Sequence, residues 1–99
     1  MRRFVLGDIH GAYKALEQVL KRASFDNEKD LLIFLGDVGD GWPDTKKCID
    51  RLLTIKHKIC LWGNHDVWLW NWIQTGEYEE LWLNQGGVAT LASYNATVE

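Results

Sequence analysis

Ninety-nine residues, 46% of them hydrophobic and 25% charged, suit one small folded domain with a thin core and exclude a disordered or low-complexity chain. Fourteen acidic against eleven basic side chains give a net charge of -3, and with no basic block nucleic acid is a poor expectation for a partner. The longest apolar run, residues 31–35, falls far short of the roughly 20 residues that span a bilayer, and the few apolar residues after Arg2 and Arg3 do not make a secretory leader, so a cytoplasmic protein with no membrane partner is expected.

In chain order, residues 3–6 predict a short strand that stops at Gly7 and Asp8. Ala12, Ala15, Leu16, Val19, Leu20 and Ala23 then recur at helical spacing. A polar, turn-like stretch over 24–30 leads to a buried strand at 31–35, ended again by a glycine and an aspartate, Gly36 and Asp37. After a loop holding Gly39, Asp40, Gly41 and Pro43, the side chains of Cys48, Ile49, Leu52 and Leu53 share one face of a second helix. A third strand is expected from 58 to 61 or 62. Gly63 follows it, and then a helix over 67–73 that is apolar almost all round. Residues 75–99 read as mostly helix. Strand and helix alternating three times predict the α/β class with a mostly parallel sheet in the order βαβαβα.

Cys48 and Cys60 have no metal or redox spacing and lie in apolar segments, so both are read as reduced, buried thiols. His57 is read as a solvated loop residue. Four of the six Trp fall within residues 62–72, more aromatic surface than a thin core easily hides. That segment either packs inside the domain or presents an apolar face to another sheet or to a substrate cleft.

The chemistry gathers where the strands end. Each strand stops at a glycine followed at once by a side chain able to hold a metal: Gly7 then Asp8, Gly36 then Asp37, Gly63 then Asn64. Parallel strands point one way, so these ends open into one crevice, where open α/β sheets bind ligands. Asp8, His10, Asp37, Asp40, Asn64, His65 and Asp66 are therefore expected in one cluster. Four carboxylates and two imidazoles at close quarters oppose one another unless a cation holds them. Oxygen and nitrogen donors without thiolate favour Mn²⁺, Fe or Zn²⁺. The glycines are expected to supply positive φ where each strand turns sharply. Alternation along the chain lets Asp8 and His10 face one ion while Ile9 turns into the core. Asn64 and Asp66 have a plainer reading as caps of the following helix. A receiver-like acidic pocket would also place carboxylates at strand ends, but it would not call for His10, Asn64 and His65.

The segments GDIHG (7–11), GDVGD (36–40) and GNHD (63–66) resemble, in that order, the motifs of the calcineurin-like metallophosphoesterases. The closest resemblance is to the branch with bacterial and phage Ser/Thr protein phosphatases and diadenosine-tetraphosphate hydrolases, in which a Gly-Gly-x-x-Thr segment like that within 82–94 follows the third motif. The resemblance implies the N-terminal half of an αββα sandwich and a site for two divalent metal ions, Mn²⁺ first and Fe or Zn²⁺ after it. It gives Asp8 and His10 to the first metal, Asp37 as a bridge between the two, and Asn64 to the second. His65 would serve the leaving-group side, and Asp40 would hydrogen-bond it. A metal-bridging water would attack phosphorus in line, hydrolysing a phosphomonoester of a phosphoprotein or a nucleotide.

The pattern also departs from the family's. Gly41 and Trp62 stand where the family has phosphate-holding arginines, and neither offers the bidentate contact of a guanidinium. Lys46 or Lys47 could supply a point charge, although their place at the start of a helix fits solvent exposure better. No histidine follows His65, whereas the family draws further His ligands from downstream. Residues 1–99 are accordingly read as the N-terminal part of a domain whose missing C-terminal half is its partner, with little activity in isolation. The alternative is a non-catalytic module that binds a metal or phosphate.

Overall fold

The three apolar runs form strands β1 (Arg3–Leu6), β2 (Leu31–Phe34) and β3 (His57–Cys60) of a computed structural model that describes residues 1–95. All pair in parallel in the order β1-β2-β3, with Arg3 opposite Leu31 and Leu31 opposite His57. Each crossover carries one helix, α1 (Tyr13–Arg22) between β1 and β2 and α2 (Thr45–Leu53) between β2 and β3. The chain is thus α/β with three parallel strands, as the alternation predicts.

Period-two alternation sorts the strand residues onto two faces. Leu32 and Phe34 point toward α1 and α2, where Leu16, Leu20, Cys48, Leu52 and Ile55 join them in the buried core. On the opposite face the register lines up Val5, Ile33 and Ile59 in one row, and Val5 and Ile59 are exposed. Helices therefore cover one side of the sheet among the described residues.

β3 begins one residue and ends one or two residues earlier than expected, so His57 is a strand residue paired with Leu31 and not a loop residue. Cys48 is buried and free, and burial with the nearby Asp44 charge pushes its thiol up to about 11. Cys60, expected to be buried, is exposed: it lies on the helix-covered face but on the edge strand, beside an open groove between α2 and β3.

Helix α3 spans Asn64–Thr75, longer than its apolar stretch suggested, because the chain turns helical directly after Gly63 and stops only at left-handed Gly76. The expected C-terminal helix is broken into α4 (Glu80–Trp82) and α5 (Val88–Ser93). They are joined by a kink over Leu83–Gly87 in which Gln85 and Gly86 leave helical geometry. Residues 96–99 of that expectation lie outside the described residues. Of the six Trp, Trp82 alone is fully buried; Trp42, Trp62 and Trp70 are exposed. The tryptophan-rich segment thus divides between packing and surface, with Trp72 against Trp82 and Tyr94, and Trp62 against Trp70. Among the described residues no helix is long and apolar enough to cross a membrane.

Candidate active site

The loops after the three strands meet at one end of the sheet. The loop after β1 is strung on the loop after β2: the amides of Ile9 and His10 donate to the Asp37 carbonyl at 3.1 and 3.0 Å, and that of Gly11 donates to the Val38 carbonyl at 2.8 Å. Ile9 is buried between its two neighbours, which leaves Asp8 exposed and His10 half-buried on the other side. His10 Nδ1 lies 2.8 Å from the Gly39 carbonyl, an acceptor only, so Nδ1 is the donating nitrogen and Nε2 is the one turned toward Asp8. That Nε2 is 3.4 Å from Asp8 Oδ2. Asp8, His10 and Asp37 each offer one ligand atom, and these atoms all lie within 4.8 Å of one another. A backbone carbonyl that orients the non-ligating nitrogen of an imidazole is the usual support of a metal ligand, so this donor set suits a divalent cation with oxygen and nitrogen preference.

Asp37 sits where all three loops touch. Its Oδ1 accepts from the His65 amide at 3.0 Å, bringing the N-terminus of α3 to the carboxylate. Gly63 is required here by closeness, since a Cβ at that position would overlap the Asp37 carboxyl group. Of the three strand-end glycines expected to supply positive φ, only Gly36 does so, at 104°. The left-handed geometry falls instead on the polar residues, with φ of 48° at His10, 61° at Asp37 and 73° at Asp40. Short polar side chains tolerate that region by local hydrogen bonding, which glycine was expected to do alone.

Asn64 is exposed at the first position of α3, beside His65. Asp66 belongs to the scaffold. Its Oδ2 accepts from the amides of Gly63 (2.9 Å) and Asp37 (2.6 Å), and its Oδ1 from that of Val38 (2.9 Å), so one carboxylate caps α3 and clasps the loop after β2. Lys46 is paired with Asp50 at 2.8 Å and Lys47 with Asp44 at 3.8 Å, both exposed. Among the described residues neither Lys nor Arg lines the cleft of about 300 Å³ formed by His10, Asp40, Gly41, Trp42, His65 and Gln85.

His65 and Asp40 face each other across this cleft, with Nδ1 and Oδ2 2.8 Å apart. The ring of His65 meets His10 edge-on at 4.9 Å and Trp68 at 5.0 Å between centroids. Asp40 is almost wholly buried and accepts from two further side chains, Trp82 Nε1 at 2.6 Å and Thr90 Oγ1. These partners lie 42 and 50 residues downstream. The similarity of 82–94 to the family segment marks the stretch without indicating which of its atoms reach the site.

The sequence model of the family described as calcineurin-like phosphoesterase matches residues 1–98. The chain belongs to that family. Among curated relatives, this calcineurin-like chain is 32% identical over 66 residues to a symmetrical bis(5'-nucleosyl)-tetraphosphatase of Coxiella burnetii, covering 67% of this chain and 23% of the relative. Proteins of the same name from Buchnera aphidicola subsp. Schizaphis graminum and subsp. Acyrthosiphon pisum are 37% and 34% identical over 68 residues, or 68% of this chain and 25% of each relative. The chain thus spans about a quarter of the length of the curated relatives it matches.

Proposed function

We propose that this chain carries the first part of the active site of a metal-dependent phosphoesterase, with Asp8 and His10 holding one divalent ion, Asp37 bridging to a second, and Asn64 contributing to the second. The observation that carries the reading is the convergence of Asp8, His10 Nε2 and Asp37 at the ends of two strands, with His10 oriented by Gly39. When bound, two divalent cations supply Lewis-acid charge for the phosphoryl oxygens and for ionising the attacking water; Mn²⁺ is our first choice, with Fe or Zn²⁺ next. This chain's own residues hold the leaving group. Asp40 accepts a hydrogen bond from His65 Nδ1–H, and His65 in its imidazolium form would pass its Nε2 proton to the leaving oxygen as the phosphorus–oxygen bond breaks and the oxygen of water takes its place, returning to the neutral ring. With a phosphomonoester the products are an alcohol and inorganic phosphate, and with a dinucleoside polyphosphate two shorter nucleotides, the elements of one water being divided between them.

The names of the relatives speak for a nucleoside polyphosphate as the phosphorylated substrate, ahead of a phosphoprotein. Among the described residues no Lys or Arg lines the cleft, so within this stretch hold on the phosphate falls to the cations. The free thiols Cys48 and Cys60 suit a reducing compartment, which supports the cytoplasm.

The test uses the protein expressed from its complete reading frame and loaded with Mn²⁺. It is expected to hydrolyse an aryl phosphate and a dinucleoside tetraphosphate, and Asp37→Asn is expected to lower both rates by about 100-fold or more. Absence of turnover on both substrates with each of the three metals, or an Asp37→Asn variant as active as its parent, overturns the reading.

A further inference from the structure

We infer that Trp82 and Thr90 are positioning residues for the leaving-group step: they fix the Asp40 carboxylate so that it can hold the imidazole of His65 in one orientation. The inference rests on the reading of His65 given above, and it concerns residues that touch neither substrate nor cation.

The geometry is that of a carboxylate fastened on every side. Oδ2 accepts from Trp82 Nε1 at 2.6 Å and lies 2.8 Å from His65 Nδ1. Oδ1 accepts from the Thr90 hydroxyl, and the same hydroxyl oxygen accepts from the Asp40 amide at 2.9 Å, closing a ring through side chain and backbone. Thr45 Oγ1 stands 3.0 Å from Thr90 Oγ1, and both threonines are fully buried. An indole N–H can only donate. With Thr90 donating as well, the carboxylate acts as acceptor toward His65, which keeps an N–H on Nδ1 and turns Nε2, with the proton it delivers, toward the substrate side.

The chain around these residues is shaped for the same contact. Gly86 adopts φ 100° and its carbonyl receives the Gly41 amide at 3.2 Å; a Cβ there would meet Gly41 N at 2.5 Å. A Cβ at Gly87 would lie 2.6 Å from the Trp82 ring. The Gly-Gly kink thus lets the indole fold back beneath Asp40 while α5 brings Thr90 up from the other side. Left to itself, a carboxylate in left-handed backbone at the mouth of a loop would sample several rotamers. Held by two buried donors it presents one face, and the orientation of the proton carrier is set before substrate arrives.

A merely structural role for Trp82 and Thr90 would affect folding and all substrates alike, so the test separates the two. Thr90→Val keeps shape and removes the hydroxyl, Thr90→Ser restores it, and Trp82→Phe removes the indole donor while keeping an aromatic ring. Each is made in the protein expressed from its complete reading frame, with histidine labelled by ¹⁵N and the His65 signals assigned by their loss in His65→Asn. In the parent and in Thr90→Ser, the His65 Nδ1 proton is expected as a protected, downfield resonance. In Thr90→Val and Trp82→Phe it is expected to move upfield or vanish through exchange. With aryl phosphates of graded leaving groups, kcat for the most basic phenol is expected to fall about 10- to 100-fold in Thr90→Val with KM unchanged, while the most acidic phenol changes by less than about threefold. An unaltered His65 resonance in both Thr90→Val and Trp82→Phe overturns the inference, as does an equal loss of rate for all leaving groups. A parent protein with no turnover overturns the proposed function instead, and the resonance then still decides whether Trp82 and Thr90 hold His65.

Discussion

At the scale of single residues, the site is built from side chains whose own backbone is curled into the left-handed region. His10, Asp37 and Asp40 all lie there, and each is also tied to another loop by a hydrogen bond. Positions of this kind persist only where the surroundings over-determine them, and they concentrate at working sites. Removing the Asp37 carboxylate therefore has two separable effects. Asp37→Ala and Asp37→Gly both delete the proposed metal ligand and are expected to lose activity equally, but the alanine must also bear the strain of positive φ. We expect Asp37→Gly to be the more stable by about 1 kcal/mol in urea melts, and equal stability would count against the strain. The residues that sequence alone could place are those whose chemistry is local. Asp8 and His10 stand two apart after a strand, and their common face follows from alternation with Ile9. Asp66 was ambiguous, since its role as a clasp exists only where the loop after β2 meets the start of α3. Trp82 and Thr90 could not be assigned to Asp40 at all, because contacts over 42 and 50 residues have no periodic signature.

At the scale of elements, the strands were legible as runs of apolar residues ending at glycine, to within one or two residues at each end. The helices were legible by their buried faces, Leu16 and Leu20 on α1 and Cys48 and Leu52 on α2. What escaped was the kink between α4 and α5, since Gly-Gly in a helical stretch reads equally as a weak helix or a break. Cys60 escaped too: it alternates correctly toward the core, but exposure on an edge strand depends on what stands beside it. One joint between elements carries a pH signature. Arg2 reaches from the start of β1 to Asp30, just before β2, with Nη2 to Oδ2 at 2.8 Å and Nε to Oδ1 at 3.3 Å, and the same Nη2 binds the Ser24 carbonyl at 2.7 Å. The hydrogen bond from Arg2, aided by the Asp26 amide, holds the Asp30 carboxyl below its ordinary value. A depressed folded value means that this stabilisation is complete above the unfolded value near 3.9 and is lost as pH falls through the folded one. Asp30→Asn is therefore expected to melt below the parent at neutral pH, with the gap narrowing in strongly acidic buffer. A gap that is constant with pH would show that the charge of Asp30 contributes nothing.

At the scale of the whole molecule, the sheet is covered unequally. Leu32 is 1% exposed beneath α1 and α2, whereas Ile59, on the opposite face, is 49% exposed. Leu32→Ala is expected to cost about 2–5 kcal/mol, and Ile59→Thr to stay within about 0.5 kcal/mol of the parent in the same denaturation assay. Similar losses from both would mean that the row of Val5, Ile33 and Ile59 is packed as tightly as the core.

The common direction of the three strands also gives the molecule two poles. The candidate metal ligands Asp8, His10 and Asp37 all follow a strand's last residue, while Arg3 stands at the other end of β1, about 13 Å of extended chain away across a four-residue strand. A fluorophore joined through a cysteine placed at the exposed Arg3 therefore leaves the cleft unobstructed. Labelled there, the protein is expected to hydrolyse the aryl phosphate of the proposed test at the rate of the unlabelled protein.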